Sequence, residues 1–454
     1  MRQEGSTLAW RRSLAAAAIV ALLIGFGIRL HDVFRAPYNN DEMDAANLGW
    51  AIAHGQRLYV DAWDARAPLS IFFNRLIVPS LDENGAVIVK LRLWYQFMFL
   101  LALAIFVMVV RPLTGWGGSL WFLAVFLGVS MVAARTAQAR QDILVLLFVA
   151  AAFWFYARAQ SRRDEGWILA AGFALALAAL SKQVGLFVLA GILAYLPWSV
   201  RLGRKEPRTA LREAALLACS FGFGFFLCLL VLFGRKIGAA IQIYFFEMPY
   251  VRYWESAMPR DAFILRELTI SLPVELIGSG FLVWLFVRSW RPGRPHERAW
   301  MEPFFGAQIV FAVVYLAIRR RPFEQDFIYP SLAMGMAVAV LFPDALAYLR
   351  ATKVPRRLAA ASLAVCLSAP VILSKLYHFL HRSRGRELAA PRPEDLSREP
   401  GPACSLGGSI SGACPLLRRD LFEIPSHATN AGGTARSHQP ASRGYSSGPR
   451  GAFR

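Results

Sequence analysis

The chain has 454 residues, of which 56% are hydrophobic and only 18% are charged, and its net charge is +20. Soluble domains are about half apolar and about a quarter charged, so this composition excludes a water-soluble protein of this length. The basic balance would suit nucleic acid in a soluble chain, but no aromatic and basic platform or groove-reading motif appears, so no nucleic-acid partner is expected.

A series of apolar runs predicts an all-α polytopic membrane protein. A transmembrane helix needs about 20 consecutive, mostly apolar residues. The first run, 13–28, follows a basic segment and has no convincing small-residue cleavage site, so we expect a retained first helix. The further runs predict about eleven transmembrane helices in all. They are 93–110, 118–134, 143–157, 167–180, 184–200, 214–233, 273–287, 303–318, 328–342 and 358–378.

The loop after the first helix, 31–92, is the longest and the most acidic. Loops of this length usually have a task. Asn39 to Glu42 supplies helix-capping residues, and apolar residues then recur at helical spacing until Gly55 stops the run. The pattern predicts a short interfacial helix that lies along the membrane surface.

The distribution of Arg and Lys over the short loops predicts the orientation in the membrane. With a cytoplasmic N-terminus, the Arg-rich segments 158–163, 201–212, 288–298 and 350–357 are cytoplasmic. The extracytoplasmic side then receives 31–92, 135–142, the turn at Lys182, 234–272 and 319–327. Arg319, Arg320 and Arg321 break this charge rule, which either weakens the topology or marks an anion site. A multi-pass protein of the plasma membrane, of the bacterial inner-membrane kind, is expected.

Composition divides the chain into two parts. Residues 1–380 carry the predicted membrane helices, whereas 381–454 are rich in Pro, Gly, Ser and Arg and poor in apolar residues. Such a composition does not bury enough apolar surface to fold, so a disordered tail is expected.

The order of motifs in the first outer loop carries the sharpest functional signal. After the first helix come Tyr38-Asn39-Asn40-Asp41-Glu42, then Gly55 and Tyr59, and then the run DAWDARAPL from Asp61 to Leu69. This order resembles that of the polytopic GT-C glycosyltransferases, specifically the branch of protein O-mannosyltransferases and lipid A aminoarabinose transferases. In that branch an Asp-Glu pair follows the first helix, a Gly and a Tyr-x-Asp come next, and a Lys-Pro-Pro-Leu-like element closes the loop.

The resemblance continues along the chain and departs from the family pattern at one motif. It covers Ala139-Arg140-Gln141-Asp142 before a helix, the segment 171–182, and more faintly Phe327-Ile328-Tyr329-Pro330. Arg66-Ala67-Pro68 stands where Lys-Pro-Pro is usual. The positive charge is kept there, but the loss of one proline loosens the turn.

The resemblance implies a GT-C type membrane glycosyltransferase. Such an enzyme moves a sugar from a polyprenyl-phosphate carrier to a hydroxyl acceptor, on a lipid, glycan or protein, at the extracytoplasmic face. The acceptor hydroxyl needs a carboxylate to take its proton, and Asp41 is the expected base, with Glu42 second. The departing lipid phosphate needs fixed cations. The candidate substrate-binding residues are Tyr59, Asp64, Arg66, Asp142, Lys182, Arg319 and Arg320.

The expected partners are membrane lipids, the lipid-linked sugar donor and the hydroxyl acceptor. No cofactor is expected beyond the polyprenyl-phosphate sugar, which is a substrate. The resemblance leaves a divalent metal open, because some GT-C enzymes use one and this branch usually does not.

Each candidate residue also has a purely structural interpretation. Asp41 and Glu42 stand where a helix N-terminus attracts carboxylates, and Asp142 is placed as a helix cap. Lys182 is placed to snorkel from a helix end, and Arg319 to Arg321 also suit a solvated face. Two alternative functions stay open: a polytopic transporter or flippase, and a catalytically inactive family member that serves as a scaffold. Transporters tend to hold their charges near mid-membrane, whereas this sequence concentrates its acids in one outer loop.

Overall fold

A computed structural model describes residues 2–36, 40–59, 61, 67–78, 87–128, 132, 135–242 and single positions or short stretches between 304 and 340. All regular secondary structure in these residues is helical. The predicted spans 273–287 and 358–378 and the predicted tail 381–454 lie outside the described residues, and the spans 303–318 and 328–342 are described only in part.

The first helices are one long apolar helix and two shorter ones. Helix α1 is Arg2–Arg35, α2 is Asn40–Ala53 and α3 is Pro68–Ile77. The chain leaves α2 at Gly55, whose φ of 94° is open to glycine and strained for other residues. Helix α2 therefore stops where the sequence predicts, while its position along the membrane surface stays a prediction.

The remaining helices complete the described part of the bundle. Their bounds are Val87–Gly128 for α4, Gln141–Arg162 for α5, Glu165–Ser181 for α6, Val184–Arg201 for α7 and Pro207–Phe233 for α8. A 3₁₀ turn, Gly234–Lys236, and a short helix α9, Ile237–Ile241, follow. Helix α4 kinks at Gly115, which has φ of 67° and ψ of −173°, just after Pro112.

Five helical stretches are long and apolar enough to cross a membrane: Arg12–Arg35, Val87–Pro112, Gln141–Arg162, Val184–Arg201 and Pro207–Phe233. Three shorter apolar helices accompany them, Thr114–Leu127, Glu165–Ser181 and Ser331–Val340. The prediction of an all-helical membrane protein is therefore confirmed in its general form, and the number of about eleven spans stays a prediction.

The helices extend further into the first outer loop than the apolar runs predict. Helix α1 continues to Arg35, and α4 already begins at Val87, so both ends of the predicted loop 31–92 are helical. Arg92, in the α4 extension, is paired inside the protein with Glu42. Hydropathy marks only the lipid-contacting length of a helix, so it misses turns whose polar side chains are buried against other helices.

Glycine permits a close contact between two helices at one position in the core. Gly172 of α6 faces α8, and a Cβ atom there would lie 2.6 Å from the carbonyl oxygen of Leu217 and 2.9 Å from Cβ of Ser220. Small residues allow backbones to approach in membrane bundles, where packing drives helix association. Gly172 thereby brings α6, which ends in Lys182, close to α8.

The chain order places several helix ends at one face of the bundle. Helices α1, α6 and α8 end at this face, while α5 and α7 begin there, and we call it the active-site face. The opposite face holds the link between α5 and α6, in which Asp164 caps α6 by accepting from the backbone N–H of Gly166 at 2.9 Å. There, too, Glu213 pairs with Lys205 and accepts from Tyr156 Oη at 3.2 Å.

The turn after α2 is closed by an ion pair. Arg57 donates from Nε (2.6 Å) and from its backbone N–H (2.9 Å) to Oδ2 of Asp61. The hydrogen bonds from Arg57 lower the pKa of Asp61 from 3.8 to about 2.

This depressed pKa predicts a pH window for the stability of the turn. A carboxylate with a lowered folded-state pKa stabilises fully above its unfolded pKa, and the contribution disappears as pH falls through the folded value. We expect Asp61→Asn to lower the unfolding temperature of the detergent-solubilised protein at pH 7. The difference from wild type should shrink as pH falls from about 4 to about 2. A difference that stays constant over that range would contradict the ion pair.

Candidate active site

Four charged side chains from three separate segments form one connected cluster at the active-site face. Arg140 Nη1 lies 3.0 Å from Asp41 Oδ2, and Arg140 Nε lies 3.5 Å from Asp142 Oδ2. Lys182 Nζ lies 2.7 Å from Asp142 Oδ1. We call this series, Asp41, Arg140, Asp142 and Lys182, the charge relay cluster.

Helix ends position every member of the cluster. Asp41 is in the first turn of α2, and Asp142 is in the first turn of α5. Arg140 is the extended N-cap residue of α5, and Lys182 is the extended C-cap residue of α6. Side chains at helix ends project beyond the bundle, so residues distant in the chain meet there.

Exposure differs sharply within the cluster. The side chain of Asp41 is 52% exposed, whereas those of Arg140, Asp142 and Lys182 are 11%, 6% and 10% exposed. Asp41 is therefore the member that a substrate in solvent can reach most easily. The other three form a buried support beneath it.

Glu42 has a different environment from its neighbour Asp41. Its Oε2 accepts from Arg92 Nη2 at 2.6 Å, and its Oε1 accepts from Arg92 Nε at 2.8 Å and from the backbone N–H of Ala139 at 2.7 Å. Both side chains of the Glu42–Arg92 pair are 0% exposed. Glu42 thus ties α2 to α4 and to the turn before α5, so its carboxylate is held by contacts within the protein.

A second buried arginine holds the same turn from α1. Arg29 donates from Nη1 to the hydroxyl of Thr136 and from Nη2 to its backbone carbonyl oxygen. The guanidinium of Arg29 also lies 3.7 Å from the ring centre of Phe99, and Gln96 Nε2 donates to the same carbonyl at 2.8 Å. Contacts at Thr136 and at Ala139 therefore hold the turn that carries Arg140. The guanidinium of Arg140 in turn contacts Asp41.

The cluster retains unused polar atoms. Arg140 Nε and Asp142 Oδ2 are buried and make no hydrogen bond within the part of the chain that the structure describes, although they form an ion pair at 3.5 Å. A buried polar atom without a hydrogen bond is costly, and such atoms often have a functional role. Arg140 Nε is a donor of the kind that a phosphate oxygen accepts from.

Two carboxylates of the cluster form ion pairs with cations of the protein. Asp41 and Asp142 share Arg140, and Asp142 also contacts Lys182. Within the described ranges no group of three or more His, Cys, Asp or Glu residues is spaced to hold a metal.

The other predicted site residues divide into two groups. Tyr59 is described and is buried in a separate cluster beside α8, where its ring stacks on Phe233 with centroids 5.6 Å apart. Asp64, Arg66, Arg319 and Arg320 lie outside the described residues.

Three residues that the sequence interpretation left out support the site. Arg140 belongs to the Ala139-Arg140-Gln141-Asp142 motif, in which the sequence interpretation singles out only Asp142. Arg29 and Arg92 stand at the edges of apolar runs, where charged residues usually meet the lipid head groups. Both arginines lie in helices α1 and α4 next to the ends of the apolar runs, and there they are buried and paired.

Comparison with known proteins gives one family match and several structural likenesses. Residues 66–227 match the family described as dolichyl-phosphate-mannose-protein mannosyltransferase. No curated protein matches the sequence. The fold is similar to that of the Archaeoglobus fulgidus oligosaccharyltransferase, which was solved in complex with Zn and sulfate. The TM-score is 0.53 and the sequence identity is 14%, and the match covers 79% of this chain and 52% of that chain.

The fold is also similar to that of ArnT from Cupriavidus metallidurans. The structure with undecaprenyl phosphate gives a TM-score of 0.50 and 16% identity over 81% of this chain and 72% of that one. The apo structure gives a TM-score of 0.50 and 16% identity over 76% and 60%. The chain thus spans about half the length of the oligosaccharyltransferase and more of ArnT. The resemblance to GT-C membrane glycosyltransferases is confirmed by the family match and the shared fold.

Proposed function

We propose that this chain, with its GT-C fold and mannosyltransferase-like segment, transfers a sugar from a polyprenyl-phosphate carrier to a hydroxyl acceptor at the extracytoplasmic face. The observation that carries the proposal is the charge relay cluster, which joins a solvent-exposed carboxylate to buried cations at one face of a membrane bundle. ArnT, one of the structures with this fold, is solved with undecaprenyl phosphate bound.

Asp41 is the general base in this proposal. Its carboxylate takes the proton of the acceptor hydroxyl while the hydroxyl oxygen forms its bond to the anomeric carbon. The bond between that carbon and the carrier phosphate oxygen breaks, and the electron pair leaves with the lipid phosphate. The proton then passes from Asp41 to solvent, which its 52% exposure allows.

Cations of the cluster stabilise the departing phosphate. Lys182 and Arg140 are held in place by Asp142, so their positive charges are already oriented before substrate binds. Such preorganised charge lowers the energy of the transition state, in which charge develops on the leaving oxygen. Arg66, Arg319 and Arg320 are proposed as further phosphate contacts, and Asp64 as a substrate contact, from the sequence pattern alone.

The charge distribution supports an extracytoplasmic active site. The Arg-rich segments 158–163 and 201–212 lie at the face opposite the cluster. Because Lys and Arg are enriched in cytoplasmic loops, that face is assigned to the cytoplasm, with the N-terminus on the same side. The cluster then faces the outside, where a lipid-linked sugar meets its acceptor.

The direct test is transfer of labelled sugar from a short polyprenyl-phosphate sugar to endogenous acceptors, measured in membranes that contain the wild-type chain. We expect labelled product above the background of membranes without the chain. Binding of the donor without any transfer would instead favour the inactive-scaffold alternative, and movement of the labelled lipid between leaflets without transfer would favour a flippase.

Arg140 provides a separate prediction for the same assay. Arg140→Gln removes the cation that contacts both Asp41 and Asp142, so we expect kcat to fall about 10- to 100-fold, from the loss of one charge-assisted contact. Arg140→Lys should recover part of this loss because it restores the charge without the bidentate geometry. Equal kcat in wild type and Arg140→Gln would show that the cluster does not position the base.

A further inference from the structure

Helix α2, which carries the proposed base Asp41, is joined to α4 by two neighbouring contacts. The first is the ion pair between Glu42 and Arg92, in the first turn of α2. The second lies one turn further along each helix. Tyr95 of α4 stands three residues after Arg92, and Ala45 stands three residues after Glu42. Residues three apart on a helix share a face, so both contacts join the same two helix faces.

A side chain from α3 makes the second contact. Asn74 donates from Nδ2 to the backbone carbonyl oxygen of Ala45 at 3.2 Å, and its Oδ1 accepts from Tyr95 Oη at 2.8 Å. A carbonyl oxygen only accepts hydrogen bonds, so the amide nitrogen faces Ala45 and the amide oxygen faces Tyr95. Asn74 and Tyr95 are both buried, which keeps water from competing for these hydrogen bonds. One amide therefore bridges α2 and α4.

Gly49 lets α2 come close enough to α3 for this bridge. A Cβ atom at Gly49 would lie 2.8 Å from Cβ of Asn74 and 3.0 Å from its carbonyl carbon. A larger residue at this position would therefore push α2 away from α3. The close approach at Gly49 and the hydrogen bonds of Asn74 are two separate observations that tie α2 to α3 at the same place.

We propose that Asn74 is a positioning residue for sugar transfer, which holds α2 in the orientation that directs the carboxylate of Asp41 toward Arg140. This inference rests on the proposed function. Successive residues of an α-helix point about 100° apart, so Glu42 faces α4 while Asp41 points toward the turn before α5. A helix held at one point alone can pivot about it. The amide of Asn74 supplies a second point, one turn after Asp41.

The test compares Asn74→Leu with wild type in the assay of labelled sugar transfer, with rates corrected for the folded fraction. Leucine has nearly the shape of asparagine but neither donates nor accepts a hydrogen bond. A displacement of about 1 Å costs a reacting group up to about 100-fold in rate. We expect kcat to fall about 10- to 100-fold, with KM for the donor unchanged.

Two further variants keep this test decisive. The double variant Asn74→Leu, Tyr95→Phe also removes the buried hydroxyl that donates to Asn74, so it serves if the single variant folds poorly, and its kcat should fall by the same factor. The matched control is Gln160→Met, which removes a side-chain amide that donates to Glu213 at the opposite face at 3.2 Å. The control should keep the wild-type kcat. A control that lowers kcat as much as Asn74→Leu does would overturn the inference.

Asn74→Leu in the Asp41→Asn background separates positioning of the base from a general loss of structure. If Asn74 acts through Asp41, its replacement causes no further loss of transfer once the carboxylate is gone. An equal fold loss in both backgrounds, or a wild-type kcat in Asn74→Leu, overturns the inference.

Hydrogen exchange of the purified full chain measures the restraint on α2 without sugar transfer. Backbone amides of α2 should exchange faster in Asn74→Leu than in wild type, while those of α8 keep their rates. Unchanged exchange in α2 overturns the inference. Full transfer by Asp41→Asn contradicts the proposed base, and this inference with it. Loss of transfer in Asp41→Asn together with a wild-type kcat in Asn74→Leu contradicts this inference alone.

Discussion

Replacement of Asp41 by Asn should abolish most sugar transfer while the protein stays folded. Asparagine has nearly the same shape as aspartate but takes no proton, and general-base catalysis contributes about 100- to 10,000-fold to a rate. The buried cation Arg140 loses its contact with Asp41 but keeps its ion pair with Asp142, so its charge stays compensated. We expect kcat for transfer from the labelled donor to fall within that range, with donor binding little changed.

Asp44→Asn is the matched control for this prediction. Asp44 is exposed, lies on the same helix α2 and follows Asp41 by one turn, but it belongs to no part of the charge relay cluster. Its variant should transfer sugar at the wild-type rate. Full turnover in Asp41→Asn, and in Glu42→Gln when corrected for the folded fraction, would show that neither carboxylate is the base.

Replacement of Arg92 by Met should cause the largest loss of stability. Arg92 and Glu42 are completely buried, and Arg92 also donates to the backbone carbonyl oxygens of Val33 and Ala36 at 3.2 and 3.0 Å. Removing one partner of a buried ion pair leaves an uncompensated charge, which costs about 3–5 kcal/mol. We expect a much lower unfolding temperature and less folded protein in membranes, measured by fluorescence-detected size exclusion.

Two further variants separate the charge effect from lost packing. The combination of Arg92→Met with Glu42→Gln removes both charges, and a neutral buried pair is tolerated far better than a half pair. The double variant should therefore be more stable than Arg92→Met alone. Arg212→Met, which breaks the exposed pair between Arg212 and Glu165, should change stability by about 0–1 kcal/mol. A double variant no more stable than the single one would contradict a charge-driven effect.

The sequence predicted the general fold and part of the site because both depend on local patterns. Apolar length predicts spans, and Gly55 ends α2 as expected. The motif order singled out Asp41, Asp142 and Lys182, which the structure joins in one cluster. Their roles in catalysis and substrate binding stay predictions.

The pairings could not be predicted because they depend on contacts between distant segments. Glu42 and Asp41 are adjacent in sequence and both precede an amphipathic run, so no local signal separates them. Their difference appears only when α4 brings Arg92 to Glu42 and the turn before α5 brings Arg140 to Asp41. The contact between Tyr59 and Phe233 has the same origin, since the two rings meet only in the folded chain.

The wide sequence separation within the cluster has a consequence for biogenesis. Asp41 emerges from the ribosome long before Arg140, and Lys182 follows last. The charge of Glu42 is likewise neutralised only after the helix that carries Arg92 has been synthesised. The nascent protein therefore passes through a stage in which two acidic groups lack their cations. A translation product that stops before Lys182 contains the proposed base but not the complete cluster.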